Sequence, residues 1–405
     1  MDKILGSIRK EIKTCVDAGE KKFIIAPFGY WGKETKKILN EEFGIQEEFC
    51  VDNSNFDEKY VFSVEQMPET DTEHIVLIAT ANEYFRYQFI DIFCKYVPKE
   101  KIKVCVSYNE CENKVFSDTS KVKLDFLCVG FAKCGTMSLQ TALIKHPYIY
   151  LPEIKETFFI KKMNGESHQR FQDNYPAEHT KNKLVGGIEP TYFLNAESVY
   201  NYFGSDLKII MCVANPIKAL YSRFIMAMRD AGDEELKYFE KFGKVTPELF
   251  DEWMNDKLDS YCYINYIKFY LKFFKKSQIK VIVSERLFYS PEDTMDELQS
   301  FIGIRDSEKV IYSEFPHTNK GSRVSKSYAA ACINKKIWEL ITETRDLDVE
   351  LQIRKMRHEI FAITTEQYTE PMFETTYQRL FQYYEKSIHE LEDFLDMTLK
   401  GVWYE

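Results

Sequence analysis

Residues 126–139 read Phe-Leu-Cys-Val-Gly-Phe-Ala-Lys-Cys-Gly-Thr-Met-Ser-Leu, an apolar run that ends at a glycine-flanked lysine and passes into a helix start. A buried strand feeding a helix leaves backbone N–H groups without partners at the bend, and such groups grip phosphate or sulfonate oxygens. The segment therefore implies a strand-loop-helix unit of an α/β domain and an anionic ligand. Residue order narrows the choice. A Walker loop has four residues between its glycines and then Gly-Lys-Ser/Thr, whereas Lys133 lies between Gly130 and Gly135, and Thr136 follows the second glycine directly. That order argues against an ATPase. Gly135 lets the backbone come close to an anion, and the helix end adds a partial positive charge worth ~0.3–1 kcal/mol. Lys133 supplies a full charge. The alternative is an ordinary strand-to-helix turn with Lys133 in solvent.

The chain has 405 residues, 44% hydrophobic and 29% charged, which is room for two globular domains. A net charge of -10 argues against a general nucleic-acid binder, so an anion site must be locally basic. The 10 cysteines (15, 50, 94, 105, 111, 128, 134, 212, 262 and 332) include no Cys-x-x-Cys pair, and several sit in apolar runs where a reduced thiol packs as a small hydrophobe. No zinc site is expected. The opening residues lack the apolar core of a signal peptide, and no apolar run reaches ~18 residues. A soluble, cytoplasmic protein is the expectation.

Strand and helix patterns alternate through residues 1–116: strands at 23–26, 48–51, 75–79 and 102–106, with helices at 31–43 and 82–96. This predicts a Rossmann-like parallel sheet covered by helices. Its first turn, Pro27-Phe-Gly29-Tyr-Trp-Gly32, with Asp52 about 20 residues on, occupies the place of a dinucleotide fingerprint. Pro27 stands where the first glycine belongs and removes a backbone donor, so structural and partner-binding roles stay open. The polar stretch 112–121 reads as a linker. From 121 to 405 the pattern restarts, with strands at 123–129, 183–188, 207–213 and 279–283 and a mostly helical end, which predicts a second parallel sheet with ligand loops at its carboxyl edge. Tyr263, Tyr266, Tyr270 and Phe273 recur at helical spacing, more often a core stripe than a sugar platform.

Gly130-x-x-Lys133-x-Gly135-Thr136-x-Ser138-Leu139 resembles the 5′-phosphosulfate loop of sulfotransferases, which use 3′-phosphoadenosine 5′-phosphosulfate (PAPS) as donor and release adenosine 3′,5′-bisphosphate (PAP). The resemblance spans about 120–405 and includes the closing elements of bacterial carbohydrate sulfotransferases. It implies a P-loop-like α/β domain, and donor contacts from Gly130, Lys133, Cys134, Gly135, Thr136, Met137 and Ser138. Lys155-Glu156-Thr-Phe158-Phe159 resembles the Lys-Glu-x-x-Phe-Phe element whose lysine faces the sulfo group; a surface helix with a Phe pair is the alternative. Glu189-Pro190-Thr-Tyr192-Phe193 resembles a turn beside which a glutamate serves as base. Relatives place that glutamate three residues before the proline, where Gly187 stands here, so Glu189 is the nearest candidate and Glu156, His146 and His317 are the fallbacks. Asn215-Pro216 with Ser222 resembles the 3′-phosphate element, with Asn215 as N-cap and Pro216 at the first helical position. Ala214 takes the place of that element's arginine; Lys218 or Arg223 could compensate. Residues 316–323, with Lys320, Gly321 and Arg323, resemble the loop that closes over the nucleotide, or form a solvated linker.

Together these imply transfer of a sulfonyl group from PAPS to a carbohydrate hydroxyl, with Lys133 and Lys155 stabilising the moving group and a carboxylate taking the proton. No metal, no nucleic acid and no membrane span is implied; a lipid-linked acceptor would bring peripheral membrane contact. A magnesium-dependent kinase and a non-catalytic glycan-binding protein are the rival classes. Ala214→Arg is expected to tighten PAP binding by roughly 1.5–3 kcal/mol, about one to two decades in Kd, by titration calorimetry; an unchanged affinity removes the 3′-phosphate placement.

Overall fold

The computed structural model describes residues 2–52, 61–63, 73–106, 121–162, 165–316, 322–344 and 346–404. Residues 112–120 of the expected linker, together with His317, Lys320 and Gly321, lie outside the described residues. Two compact units are present: Met1–Lys121 with Leu194–Val199, and Val122–Phe193 with Tyr200–Glu405.

In the first unit α1 (Asp2–Asp17) precedes β1 (Phe23–Ala26), α2 (Tyr30–Phe43), β2 (Phe49–Val51), β3 (Val61–Phe62), β4 (Ile75–Ile78), α3 (Glu83–Phe93) and β5 (Ile102–Val104). The strands pair in parallel in the order β3-β2-β1-β4-β5. Alternation along each strand divides the core. Phe23, Ile25, Ile75 and Leu77 pack with Ile4, Ile8 and Ile12 of α1 on one face, and Ile24, Ala26, Val76 and Ile78 pack with Phe89 and Phe93 of α3 on the other. Gly32 has a packing reason: a Cβ there would lie 2.3 Å from the Pro27 carbonyl oxygen, so glycine lets α2 start hard against the preceding turn.

The second unit is also α/β. β6 (Phe126–Gly130), α4 (Thr136–Leu143), β7 (Ile149–Tyr150), β8 (Leu184–Ile188), β9 (Lys208–Val213), α5 (Pro216–Asp230) and β10 (Ile279–Val283) build a parallel sheet in the order β10-β9-β6-β8-β7. After β6 the chain runs to one edge, returns beside β6 as β8, then crosses to β9 on its other side. β6 is thus the point where the strand order reverses, and an open α/β sheet binds its ligand at the carboxyl end of such a strand. The antiparallel pair β11 (Arg323–Ser325) and β12 (Thr365–Gln367) encloses two helices, α6 (Tyr328–Glu343) and α7 (Leu347–Thr364), and α8 (Glu374–Leu395) follows.

The strands at 61–62, 149–150, 323–325 and 365–367 were not legible as periodic segments, because two or three residues do not establish an alternation. Tyr263, Tyr266 and Tyr270 are buried, as a core stripe requires. Among the described residues no helix is long and apolar enough to cross a membrane. Phe126 pairs with Gly186 across the sheet, and a Cβ on Gly186 would come 2.1 Å from its ring. Gly186→Ala is expected to cost about 1–3 kcal/mol of overpacking strain, seen as a lower denaturant midpoint at unchanged m.

Candidate functional site

The bend after β6 is shaped by what its carbonyls meet. Tyr261 donates its hydroxyl to the Ala132 carbonyl at 3.2 Å, and the Ser284 hydroxyl donates to the Cys134 carbonyl. A trans peptide points its N–H opposite its C=O, so the amides of Lys133 and Gly135 face away from these two tethers. Lys133 and Gly135 both adopt left-handed backbone, φ 67° and 77°. At Gly135 a Cβ would sit 3.0 Å from Ser284 Oγ, a second reason for glycine beside the conformational one. Gly130 and Cys134 are buried; the Cys134 sulfur lies 3.3 Å from the Tyr263 hydroxyl, and burial pushes its thiol up to about 12. Its part in the bend is packing. Thr136 and Ser138 are buried in the first turn of α4, and Met137 is exposed.

The segment 152–160 crosses in front of this bend as a strap. Gln140 of α4 donates to the carbonyls of Pro152 and Glu153 at 3.1 and 3.3 Å, and Lys155 donates to Thr136 Oγ1 at 3.1 Å. Lys155 also lies 3.1 Å from Glu156 Oε1, whose side chain is part-exposed. Glu189, just past β8, is buried: its Oε1 accepts from the Thr157 amide at 2.8 Å and the Thr157 hydroxyl at 2.6 Å, while its Oε2 has no partner. Burial raises this carboxyl to about 7; the Thr157 bonds oppose the shift and Glu156 adds to it. Gly187, three residues before Pro190, could not hold a glutamate unshifted, since a Cβ there would meet Leu127 Cδ1 at 2.9 Å and the Tyr175 hydroxyl at 3.0 Å. His146 bonds Gln299 at 3.0 Å in a buried position outside the cavity described next.

Beyond β9, Asn215 caps α5 through Oδ1 to the Ile217 and Lys218 amides, each 3.1 Å, and donates Nδ2 to the Trp403 carbonyl at 2.8 Å. Its own amide is taken by Glu285 at 2.8 Å. Asn215 therefore orients the helix, and the face of α5 that follows, Ser222, Ile225, Met226 and Arg229, lines a cavity of about 1160 Å³. Lys133, Met137, Lys155, Ser222 and Arg323 of the expected residues share that cavity. Gly130, Cys134, Gly135, Thr136, Ser138, Asn215, Glu156 and Glu189 lie outside its lining.

Sequence reasoning missed a third wall. Arg354, Arg357, His358 and Phe361 stand on one face of α7 at helical spacing and line the same cavity, as does Arg229. The Arg229 and Arg357 guanidinium groups both lie over the Phe361 ring, 4.9 and 4.7 Å from its centre. Asp230 bonds Arg229 at 2.7 Å and pairs with Arg357 at 2.7 Å; burial alone would raise its carboxyl, and the two guanidinium groups more than reverse that. Buried Glu350 holds Arg354 at 2.7 Å and also pairs with Arg170. Arg323 is aimed by bonds to Thr365 Oγ1 and O at 2.7 and 2.8 Å. Six cations and one acid, Glu153, thus line a cavity in an acidic protein. The helical spacing in Arg354-Lys-Met-Arg357-His358-Glu-Ile-Phe361 was the available signal.

Desolvation lowers the Lys133 amine from 10.5 to about 8, with Arg229, Arg223 and Lys155 adding to the shift and Asp230 opposing it. A depressed lysine destabilises the empty fold wherever both states carry the proton. That cost is full below about 8 and is relieved as pH rises from about 8 towards 10.5. Lys133→Met is therefore expected to raise stability at pH 7 by about 1–3 kcal/mol and to remove a rise in stability over that window, read by urea unfolding at several pH values.

Residues 123–341 match the family model for the sulfotransferase domain. Curated relatives include a bifunctional heparan sulfate N-deacetylase/N-sulfotransferase of Drosophila melanogaster, 24% identical over 49% of this chain and 22% of its own length. Bifunctional heparan sulfate N-deacetylase/N-sulfotransferase 3 of Mus musculus is 28% identical over 51% of this chain and 26% of its own length. The chain spans about a quarter of the length of these relatives. Among solved structures, a sulfotransferase from Alicyclobacillus acidocaldarius aligns at TM-score 0.45 and 17% identity over 70% of this chain and 99% of its own. A mouse sulfotransferase complexed with PAP aligns at 0.33 and 14% over 61% of this chain and 86% of its own. With the family model covering more than half of its residues, this chain belongs to the sulfotransferase family.

Proposed function

We propose that this chain transfers the sulfonyl group of PAPS to a hydroxyl of a carbohydrate acceptor. The observation that carries the reading is that Lys133, Lys155 and Ser222, drawn from three separate segments, line one cavity with four arginines. The cavity is large enough for a nucleotide and carries the charge a polyanionic donor needs. The relatives' glycan chemistry supports a carbohydrate acceptor.

In this reading Lys133 and the bend amides hold the 5′-phosphosulfate, with Thr136 orienting Lys155 from behind, and Ser222 with Arg229 holds the 3′-phosphate in place of the arginine absent at 214. Arg323 closes the nucleotide side. PAPS supplies the sulfonyl group: its sulfur–oxygen bridge breaks, a bond from sulfur to the acceptor oxygen forms, and PAP leaves. Lys133 and Lys155 neutralise the charge that builds on the bridging oxygen and the sulfonyl oxygens. Glu156 is the part-exposed carboxylate beside Lys155, and takes the acceptor proton. Fixed charges and alignment supply most of the acceleration.

Titration calorimetry with PAP and with ATP plus magnesium tests this reading. PAP is expected to bind at least tenfold more tightly than magnesium ATP, and Lys133→Ala to weaken PAP by roughly 1.5–3 kcal/mol, about one to two decades. Equal affinity for the two nucleotides, or a Lys133→Ala variant that binds PAP unchanged, sinks it.

A further inference from the structure

We infer that Glu189 is a positioning residue: it pins the strap at Thr157 so that Lys155 and Glu156 on one side of the pin meet the bend after β6. The inference rests on the assignment of Lys155 and Glu156 to the transfer step. A proton acceptor must come within about 2.6–3.2 Å of its hydroxyl, and Glu189 is not so placed. The residue is 2% exposed, its Oε1 is filled by the amide and hydroxyl of Thr157, and its Oε2 is closed to solvent.

What Glu189 holds is an unusual piece of backbone. Glu156 and Phe158, on either side of Thr157, both take left-handed conformations, φ 67° and 54°, which residues with a Cβ avoid. Three fixings bracket that turn. Gln140 holds the strap at 152–153, Glu189 holds Thr157, and the Ile160 amide donates to the Tyr192 hydroxyl at 3.0 Å. Tyr192 is held in turn by Tyr270, which donates to its carbonyl at 2.7 Å. Without the middle fixing, Glu156 and Phe158 are free to leave their left-handed conformations, and the Lys155 amine loses the backbone that brings it 3.1 Å from Thr136 Oγ1. A glutamine satisfies the same two Thr157 donors through its carbonyl oxygen. The neutral state is also accessible to Glu189 itself, whose carboxyl is raised to about 7 by burial.

The test compares Glu189→Gln, Glu189→Ala, Thr157→Val and Glu156→Gln, using PAPS as donor and a desulfated heparan oligosaccharide as acceptor probe, with PAP affinity and hydrogen exchange of the 155–160 amides measured on each. Glu189→Gln is expected to keep kcat within about tenfold of wild type, while Glu156→Gln loses about 10²–10⁴-fold. Glu189→Ala and Thr157→Val should lose more kcat than Glu189→Gln, speed exchange at 155–160, and leave PAP affinity within about threefold. Thr157→Val carries the test if Glu189→Ala fails to fold. The inference is overturned if Glu189→Gln loses as much kcat as Glu156→Gln with exchange unchanged, which would make Glu189 the base. It is also overturned if Glu189→Ala and Thr157→Val leave exchange at wild-type rates. The exchange arm reads the pin without turnover, so failure of PAP binding sinks the donor assignment and failure of exchange sinks this one.

Discussion

Tyr261 and Ser284 take the carbonyls of Ala132 and Cys134, and most of the site's geometry follows from those two hydrogen bonds. A bend with carbonyls turned inward would repel an anion; with them tethered outside, the adjoining amides and the start of α4 present positive dipole ends. The left-handed backbone at Lys133 costs something for a residue with a Cβ, and the tethers hold it there. Because β6 is the strand at which the sheet reverses order, this bend opens where strands β8 and β9 leave in opposite senses. Topology places the bend and local hydrogen bonding shapes it.

The cavity also shows how an acidic chain keeps a cluster of cations close together. Arg229 and Arg357 share Asp230, and Arg354 leans on Glu350, each carboxylate set behind the guanidinium group it serves. These part-buried pairs offset charge repulsion in the empty site at the expense of partly desolvating the charges. Lys133 has no carboxylate within ion-pairing distance among the described residues, and burial depresses its amine. On the proposed function, a bound polyanion would relieve that strain, and part of the stability withheld from the empty fold would reappear as affinity.

Asn334 ties the walls of this cavity to one another. Its amide donates to the Arg229 carbonyl at 3.1 Å and to Ser325 at 2.8 Å, and its oxygen accepts from Thr364 at 2.8 Å. One buried side chain thereby joins the end of α5, the strand β11, the helix α6 and the end of α7. A fully satisfied polar group of this kind fixes a single arrangement where apolar packing would tolerate several.

Much of the fold was legible because its signals are local. The apolar run 126–130 with Gly135 and Thr136, the Asn215-Pro216 helix start and the alternation through 1–106 are each set by neighbours a few residues apart. The motifs that single out Lys133, Lys155 and Ser222, which share one cavity, are local in the same way. Tertiary structure alone decided the rest. It tied the Asn215 amide group to the Trp403 carbonyl, and it buried Glu189 behind Thr157. It also brought α7, more than 200 residues downstream of the bend, to supply Arg354 and Arg357. The physical reason is that backbone conformation answers to adjacent residues, whereas desolvation and charge pairing depend on what the folded chain packs against each group, and no spacing along the sequence encodes that.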